Sequence, residues 1–251
     1  MKVNYKNSKV RVAIVFLLAG MSFSSCVPVY QANTLFMPGF EAAGDLVAEA
    51  SLGSNDICVN AGYAITEEFA VFAGYQNRSI DQRMSASNFF SELGGVWYFK
   101  SHSNISSEIL GSLGYGQFDY HNNYKPLFAE QNHHQYIRTS FLRTSLQYNM
   151  HYNLRPLKLS FGSRLVYAHF NDFHDFIVQE ACGSLVDLKK GANFSRFYLE
   201  PMGTVTYQLK HVDLFVQSGV VLRIHGDVNI FNDNPFVLNL GVRYRMNSMG
   251  R

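Results

Sequence analysis

Residues 236–246 read Phe-Val-Leu-Asn-Leu-Gly-Val-Arg-Tyr-Arg-Met, a stretch in which apolar and polar side chains alternate. A period of two residues predicts a β-strand with two different faces. From residue 238 onward one face is entirely apolar or aromatic, whereas the other carries Arg243 and Arg245. An arginine that faces lipid costs roughly 2–4 kcal/mol at the membrane midplane. The pattern therefore predicts a membrane-spanning strand whose apolar face meets lipid and whose polar face lines a lumen.

About ten runs of this kind follow one another along the chain, separated by polar breaks. Ten residues that rise about 3.3 Å each and tilt about 45° cover roughly 23 Å, which matches the apolar band of an outer-membrane barrel. We therefore predict an all-β fold, a transmembrane up-and-down antiparallel β-barrel of about ten strands, within a range of about eight to twelve. The runs lie near residues 44–52, 56–65, 69–78, 88–99, 105–118, 137–151, 157–169, 196–208, 212–223 and 236–246.

The links between these runs alternate in length. Tight links follow the even-numbered runs, at residues 66–68, 100–104, 153–156 and 209–211. Apart from the short link 53–55, long links follow the odd-numbered runs, at residues 79–87, 119–136, 170–195 and 224–235. Outer-membrane barrels have short periplasmic turns and long external loops, so we predict a bacterial outer-membrane protein with its long loops at the cell surface.

The N-terminus has the features of a secretory signal. A basic region containing Lys2 and Arg11 precedes a short apolar run at residues 12–23, which is too short for a good transmembrane helix. We predict a signal peptide at residues 1–25, a lipidated tether at residues 26–43 and the barrel at residues 44–251. Cleavage removes four of the 21 Lys and Arg residues and none of the 19 acids, so the mature chain has a formal charge of -2. With no basic excess, nucleic acid is not a predicted partner.

The residues before Cys26, Ser24 and Ser25, resemble a relaxed bacterial lipobox, with Phe23 where the strict motif has leucine. The resemblance implies diacylation of the Cys26 thiol, and two acyl chains suffice to hold a protein on a membrane. The alternative is ordinary cleavage that leaves a free thiol. A lipid anchor beside the first strand would lie on the periplasmic side, with outer-membrane lipid as the partner.

The tether itself forms no clear strand. Residues 27–40 could lie along the inner leaflet, enter the lumen or dock on a partner, and the sequence does not choose among these. Cys58 and Cys182 could form a disulfide in an oxidising compartment. The sequence leaves this pairing open, because Cys58 falls in a predicted strand and Cys182 in a long link.

Composition agrees with a barrel. Aromatic residues make up 15 % of the chain and charged residues only 16 %, against about 25 % charged residues in typical soluble proteins. Aromatic side chains also fall near both ends of the runs, as two membrane-interface girdles would require. They are Tyr63, Phe69, Trp97, Phe99, Tyr148, Tyr207 and Tyr244 near the tight links, and Tyr75, Phe89, Tyr115 and Tyr167 near the long links.

Three stretches, Asn60 to Tyr75, Glu92 to Phe99 and Phe197 to Met202, together with the signal and Cys26, resemble small barrel lipoproteins of Bacteroidota-type outer membranes. The likeness extends over most of the chain. It implies an outer-membrane barrel and carries no catalytic motif.

Strand alternation places four glutamates and five arginines on lumen faces. One interpretation is a charged constriction that selects ions. The other, which we favour, is a set of buried ion pairs that fill a narrow lumen, because unpaired charges there would be costly. The residues are Glu49, Glu92, Glu108, Glu200, Arg143, Arg164, Arg223, Arg243 and Arg245.

No convincing catalytic, cofactor or metal site is predicted. The string Ser101-His102-Ser103 lies on a tight link, and the sequence has no phosphate-binding glycine loop, no Cys-x-x-Cys and no His-Glu-x-x-His motif. Histidines cluster in two long links, but solvated loops explain them better than a metal site. These clusters are His121, His133 and His134 with Asp119 and Glu130, and His169 and His174 with Asp172 and Asp175.

We therefore predict a non-enzymatic outer-membrane barrel lipoprotein with a structural, accessory or surface-binding role, for which other envelope proteins are the expected partners. A narrow pore or transporter for small solutes is the alternative. An outer-membrane lipid hydrolase is a distant third.

Overall fold

A computed structural model of the chain describes residues 30, 32–53, 56–80, 84–102, 104–124, 133–179, 185–225 and 236–246. They form a single closed antiparallel β-barrel of ten strands, as predicted from the alternation. Its elements are β1 (Leu46–Leu52), β2 (Asp56–Ala64), β3 (Phe69–Ile80), β4 (Met84–His102), β5 (Ile105–Tyr124), β6 (His133–Leu154), β7 (Leu157–Gln179), β8 (Leu185–Gln208), β9 (Val212–Val220), β10 (Leu222–His225) and β11 (Phe236–Met246).

Each strand from β1 to β8 pairs with the next strand in sequence, β9 pairs with β11, and β11 pairs with β1 to close the barrel. Although eleven segments are present, β9 and β10 are two parts of one barrel strand interrupted at Val221. Both parts pair with β8, β9 along residues 202–208 and β10 along residues 197–199. The strand number is therefore ten, which is even, as in bacterial single-chain barrels.

The two ends of the barrel differ. Tight turns at residues 65–68, 103–104, 155–156 and 209–211 lie at one end, here called the turn end, where β1 also begins. The opposite end, the loop end, holds the link 53–55 and the links that follow β3, β5, β7 and β10. The end at which each link lies agrees with the sequence prediction, but the link after β3 spans only residues 81–83 and is no longer than the tight turns.

Strands β4 to β8 are longer than predicted. The stretches 119–124, 133–136 and 170–179, expected in long loops, are strand, and β8 begins at Leu185 instead of near residue 196. Alternation marks a strand only where one face meets lipid and the other a packed lumen. Beyond the membrane both faces can be polar, so the sequence signal ends before the sheet does.

Most outward-facing residues in the middle of each strand are apolar. Leu93 and Leu113 are 68 % exposed on this face, as expected for side chains that meet lipid. Aromatic side chains frame the apolar band at both ends, with Trp97 and Tyr207 at the turn end and Tyr75 and Tyr167 at the loop end. Within the described residues, no helix is long and apolar enough to cross a membrane.

Candidate functional site

The lumen is occupied by the chain's own N-terminal segment. Tyr30 and residues 32–45, here called the plug, precede β1. Tyr30 and residues 32–40 are buried inside the barrel, whereas Glu41 is exposed. Tyr30, Leu35, Phe36, Met37 and Phe40 are each at most 2 % exposed. Of the three placements that the sequence left open for the tether, the structure shows entry into the lumen for this described part.

The plug climbs steadily from the turn end toward the loop end as the chain is followed backward. Near the turn end, the backbone amide of Phe40 donates to Glu108. Halfway up, Gln217 holds Leu35. Closer to the loop end, the ring of Tyr30 stacks on Tyr198 with centroids 4.0 Å apart. The segment therefore runs along the barrel axis.

Residues 32–41 of the plug have no regular secondary structure, so their buried backbone groups need other hydrogen-bond partners. The wall supplies them. Gln217 accepts from the Leu35 amide at 2.8 Å and donates to the Leu35 carbonyl at 3.2 Å. The Phe36 carbonyl accepts from both Gln147 and Asn149. Wall side chains thus supply the hydrogen bonds that a neighbouring strand would otherwise give to this backbone.

Charged wall residues bind the plug in the same way. Arg164 donates to the Asn33 carbonyl at 3.2 Å, and Arg245 donates to the Gly39 carbonyl at 3.1 Å. Gly39 has φ +61°, and a Cβ atom there would lie 2.0 Å from the Lys158 ammonium nitrogen. The positive φ favours glycine at this position, and any side chain there would displace the Lys158 ammonium group.

Two wall glycines provide space for the plug's apolar side chains. A Cβ atom on Gly62 would lie 2.9 Å from the rings of Phe36 and Phe40, and one on Gly162 would lie 2.6 Å from the Met37 methyl group. Phe36 also packs on the Phe72 ring, with centroids 5.4 Å apart. The inner wall is therefore shaped to the plug as well as hydrogen-bonded to it.

The predicted lumen glutamates all face inward and are at most 5 % exposed. Glu49 binds Arg243 at 2.9 Å, and these residues are register partners on β1 and β11. Glu200 accepts from the Arg164 Nε at 2.6 Å and from the Tyr30 hydroxyl at 2.6 Å. Burial and pairing occur together, as they must where charges leave water.

Glu92 reaches a partner two strands away. Its carboxylate accepts from Arg143 at 2.8 Å and from the plug residue Asn33 at 2.8 Å. Gly114 of β5 lies between Glu92 and Arg143 in the register. Because glycine has no side chain, the two charged groups meet across it, and Arg143 also lies 3.7 Å above the Phe90 ring centroid.

The remaining predicted arginines lie at opposite ends. Arg245 binds Asp213 at 2.6 Å near the turn end, and Arg223 lies half-buried on β10 toward the loop end. The prediction omitted several inward-facing groups that the same alternation places on lumen faces. These are Asp56, Arg78, His151, Lys158, Arg196 and Asp213.

A serine, a histidine and a glutamate meet near the turn end of the lumen. The Ser160 hydroxyl lies 2.8 Å from His151 Nδ1, and His151 Nε2 lies 3.0 Å from Glu108 Oε2. Nε2 nevertheless makes no hydrogen bond in this geometry, and Glu108 is already engaged by Phe40 and Asn149. All three side chains are buried beneath the plug.

The histidines of the long links do not form a metal site within the described residues. No group of three or more His, Cys, Asp or Glu side chains in that part of the chain could hold an ion. His121 stacks on Tyr136, and His169 bonds Ser195 at 2.8 Å. The side chains of His133 and His134 lie outside the described residues, as does Glu130.

Cys58 faces the lumen as a free, buried thiol. It lies within hydrogen-bond reach of the plug residue Thr34 and 3.9 Å from Asp56. Cys26 and Cys182 lie outside the described residues.

The fold defines a class, the closed antiparallel barrels of bacterial outer membranes. The translocator domain of the autotransporter NalP from Neisseria meningitidis has a TM-score of 0.50 at 11 % identity, over 96 % of this chain and 98 % of that domain. The outer membrane protease OmpT from Escherichia coli has a TM-score of 0.50 at 9 % identity, over 85 % of this chain and 99 % of its own. A KdgM porin matches with a TM-score of 0.38 at 12 % identity, over 81 % and 99 %.

At these identities the similarity shows the fold alone. No protein-family model matches the sequence, and no curated protein does. The comparisons therefore support an outer-membrane barrel without assigning it to a family.

Proposed function

We propose that this chain is an outer-membrane lipoprotein anchored through Cys26, whose barrel is closed by its own plug and serves a structural or accessory role in the envelope. The observation that carries this proposal is the plug, which occupies the lumen from the turn end to the level of Tyr198. The signal-like N-terminus and the resemblance to small barrel lipoproteins support the anchor.

Closure argues against the alternative of a narrow pore. Above and beside the plug, aromatic side chains pack across the lumen, with the rings of Phe90, Phe141 and Phe170 in successive contact. Buried ion pairs join them on the same inner wall. A lumen filled in this way leaves little room for a continuous aqueous path.

We expect the purified wild-type protein to show no steady conductance in planar bilayers. The plug and its hydrogen bonds fill the section through which ions would pass. A known porin reconstituted at the same protein-to-lipid ratio is the control for insertion. A stable, ion-selective open level in the wild-type traces would support the pore alternative instead.

The surface-binding part of the role rests on the wall beyond the loop-end girdle. There, residues of β4 to β7 line a depression of about 470 Å³. Asp119 and Arg138 form an exposed ion pair at 3.3 Å, beside the stacked rings of His121 and Tyr136. Exposed polar groups next to flat rings suit a polar partner at the cell surface, such as another envelope protein.

We also propose that the protein is not an enzyme. Although Ser160, His151 and Glu108 lie together, a working triad needs a serine that substrate can reach and donors for the oxyanion. Ser160 is only 6 % exposed. We expect a fluorophosphonate probe to label the folded wild type no more than the Ser160→Ala variant. Labelling that disappears with Ser160→Ala would show an active hydrolase.

A further inference from the structure

The path of the plug indicates at which end of the barrel the N-terminus lies. At its upper end, the Tyr30 ring stacks on Tyr198, and the Tyr30 hydroxyl donates to Glu200. Phe197, which precedes Tyr198 on β8, faces outward and packs on Tyr167 with ring centroids 4.9 Å apart. Tyr167 belongs to the loop-end girdle. Tyr30 therefore lies level with the membrane interface at the loop end.

Four peptide units separate Tyr30 from Cys26. Fully extended, they span at most about 14 Å. The two aromatic girdles of an outer-membrane barrel are about 25 Å apart. A Cys26 that starts from Tyr30 cannot return to the interface at the turn end, and the lumen below Tyr30 is already filled by the rest of the plug.

We propose that the plug carries the N-terminus through the barrel, so that the acylated Cys26 lies at the loop end and anchors in the leaflet on that side. This inference rests on the proposed lipidation and on the proposed orientation with long loops outside. With that orientation, the lipid occupies the outer leaflet at the cell surface. It replaces the periplasmic anchor that the sequence alone predicts.

The plug is well suited to hold this position, because the wall grips it at every level. At its base, the wall residue Glu108 accepts a hydrogen bond from the Phe40 amide. Arg164 and Glu92 hold Asn33 near the middle, and Glu200 holds Tyr30 at the top. Withdrawing the segment toward the turn end would break these contacts together.

The test uses accessibility of single cysteines to a membrane-impermeant maleimide in intact and permeabilised cells. Cys58 and Cys182 are first replaced by serine, and Cys26 is kept. Val29→Cys is the probe, Lys189→Cys marks the loop end, and Lys210→Cys marks the turn end. We expect Val29→Cys to react under the same conditions as Lys189→Cys. Reaction only under the conditions that label Lys210→Cys would overturn the proposal.

Deletion of residues 30–40 provides a matched control in the Val29→Cys chain. Residue 29 then joins directly to Glu41 near the turn end, so the probe should change sides and behave like Lys210→Cys. If Val29→Cys reacts in neither state, an epitope inserted after Pro28 decides the side by antibody staining. Staining of that epitope on the Lys210 side would equally overturn the proposal.

Failure of the underlying proposals is visible separately. Incorporation of labelled palmitate, and its loss in Cys26→Ser, reports lipidation without reference to the side. Labelling of Lys210→Cys in place of Lys189→Cys on intact cells would reverse the orientation. In either case the path of the plug is still decided by whether Val29→Cys reacts together with Lys189→Cys or together with Lys210→Cys.

Discussion

Replacing Glu200 by alanine is expected to lower the free energy of unfolding by about 3–5 kcal/mol, since removing one partner of a buried pair leaves the other charge uncompensated. Glu200 is fully buried and accepts hydrogen bonds from both Arg164 and Tyr30. Its loss therefore weakens the wall and the top of the plug together. Urea unfolding of the protein reconstituted in lipid vesicles, followed by tryptophan fluorescence, measures the effect.

Asp119→Ala is the matched control for this prediction. Asp119 also pairs with an arginine, Arg138, but their side chains are 53 % and 73 % exposed. Exposed pairs typically contribute about 0–1 kcal/mol, so this variant should unfold close to the wild type. Equal unfolding of Glu200→Ala and the wild type would mean that water reaches the lumen and screens the pair.

Deleting residues 30–40 is expected to convert the closed barrel into a conducting one. The deletion removes the rings and backbone that fill the lumen. Wall groups that now bind the plug, such as Gln217, Gln147 and Glu108, would face water instead. Planar-bilayer recordings should show steady open levels that the wild type lacks. Retention of a compact barrel can be checked by heat-dependent mobility on gels.

Two controls accompany the deletion. Removal of residues 125–130, in the link between β5 and β6, shortens the chain while keeping residues 30–40 and should leave the barrel closed. Thr34→Cys places a second thiol beside Cys58, and a disulfide between them should tie the plug to β2 without opening a path. A folded plug-deletion variant that does not conduct would show that the wall alone closes the lumen.

The strands could be predicted from sequence because their signal is local. In β11, residues two apart share an environment, so Leu240 and Arg243 reveal their faces without knowledge of any other strand. The same alternation placed Glu49, Glu92 and Arg164 inside. Alternation did not reveal the loop ends of β5 to β8. There the outer face is also polar, as Asp119 and Arg138 show, so apolar and polar residues no longer alternate.

The plug could not be predicted in this way. Residues 32–41 carry apolar side chains with no period of two and no helical period, so nothing local indicates what they pack against. Leu35 is held by Gln217, 182 positions away, and Tyr30 by Glu200, 170 positions away. Such contacts exist only after the sheet has closed.

The sequence by itself determined that this chain forms a membrane barrel of about ten strands, which faces meet lipid and at which end of the barrel each link lies. Each of these follows from the different cost of polar groups in lipid and in a lumen, which acts residue by residue. Only the tertiary structure decided that the lumen is filled by the N-terminal segment and which charges meet, as Glu92 and Arg143 do across Gly114. Those outcomes depend on distances between wall and plug that closure of the barrel creates.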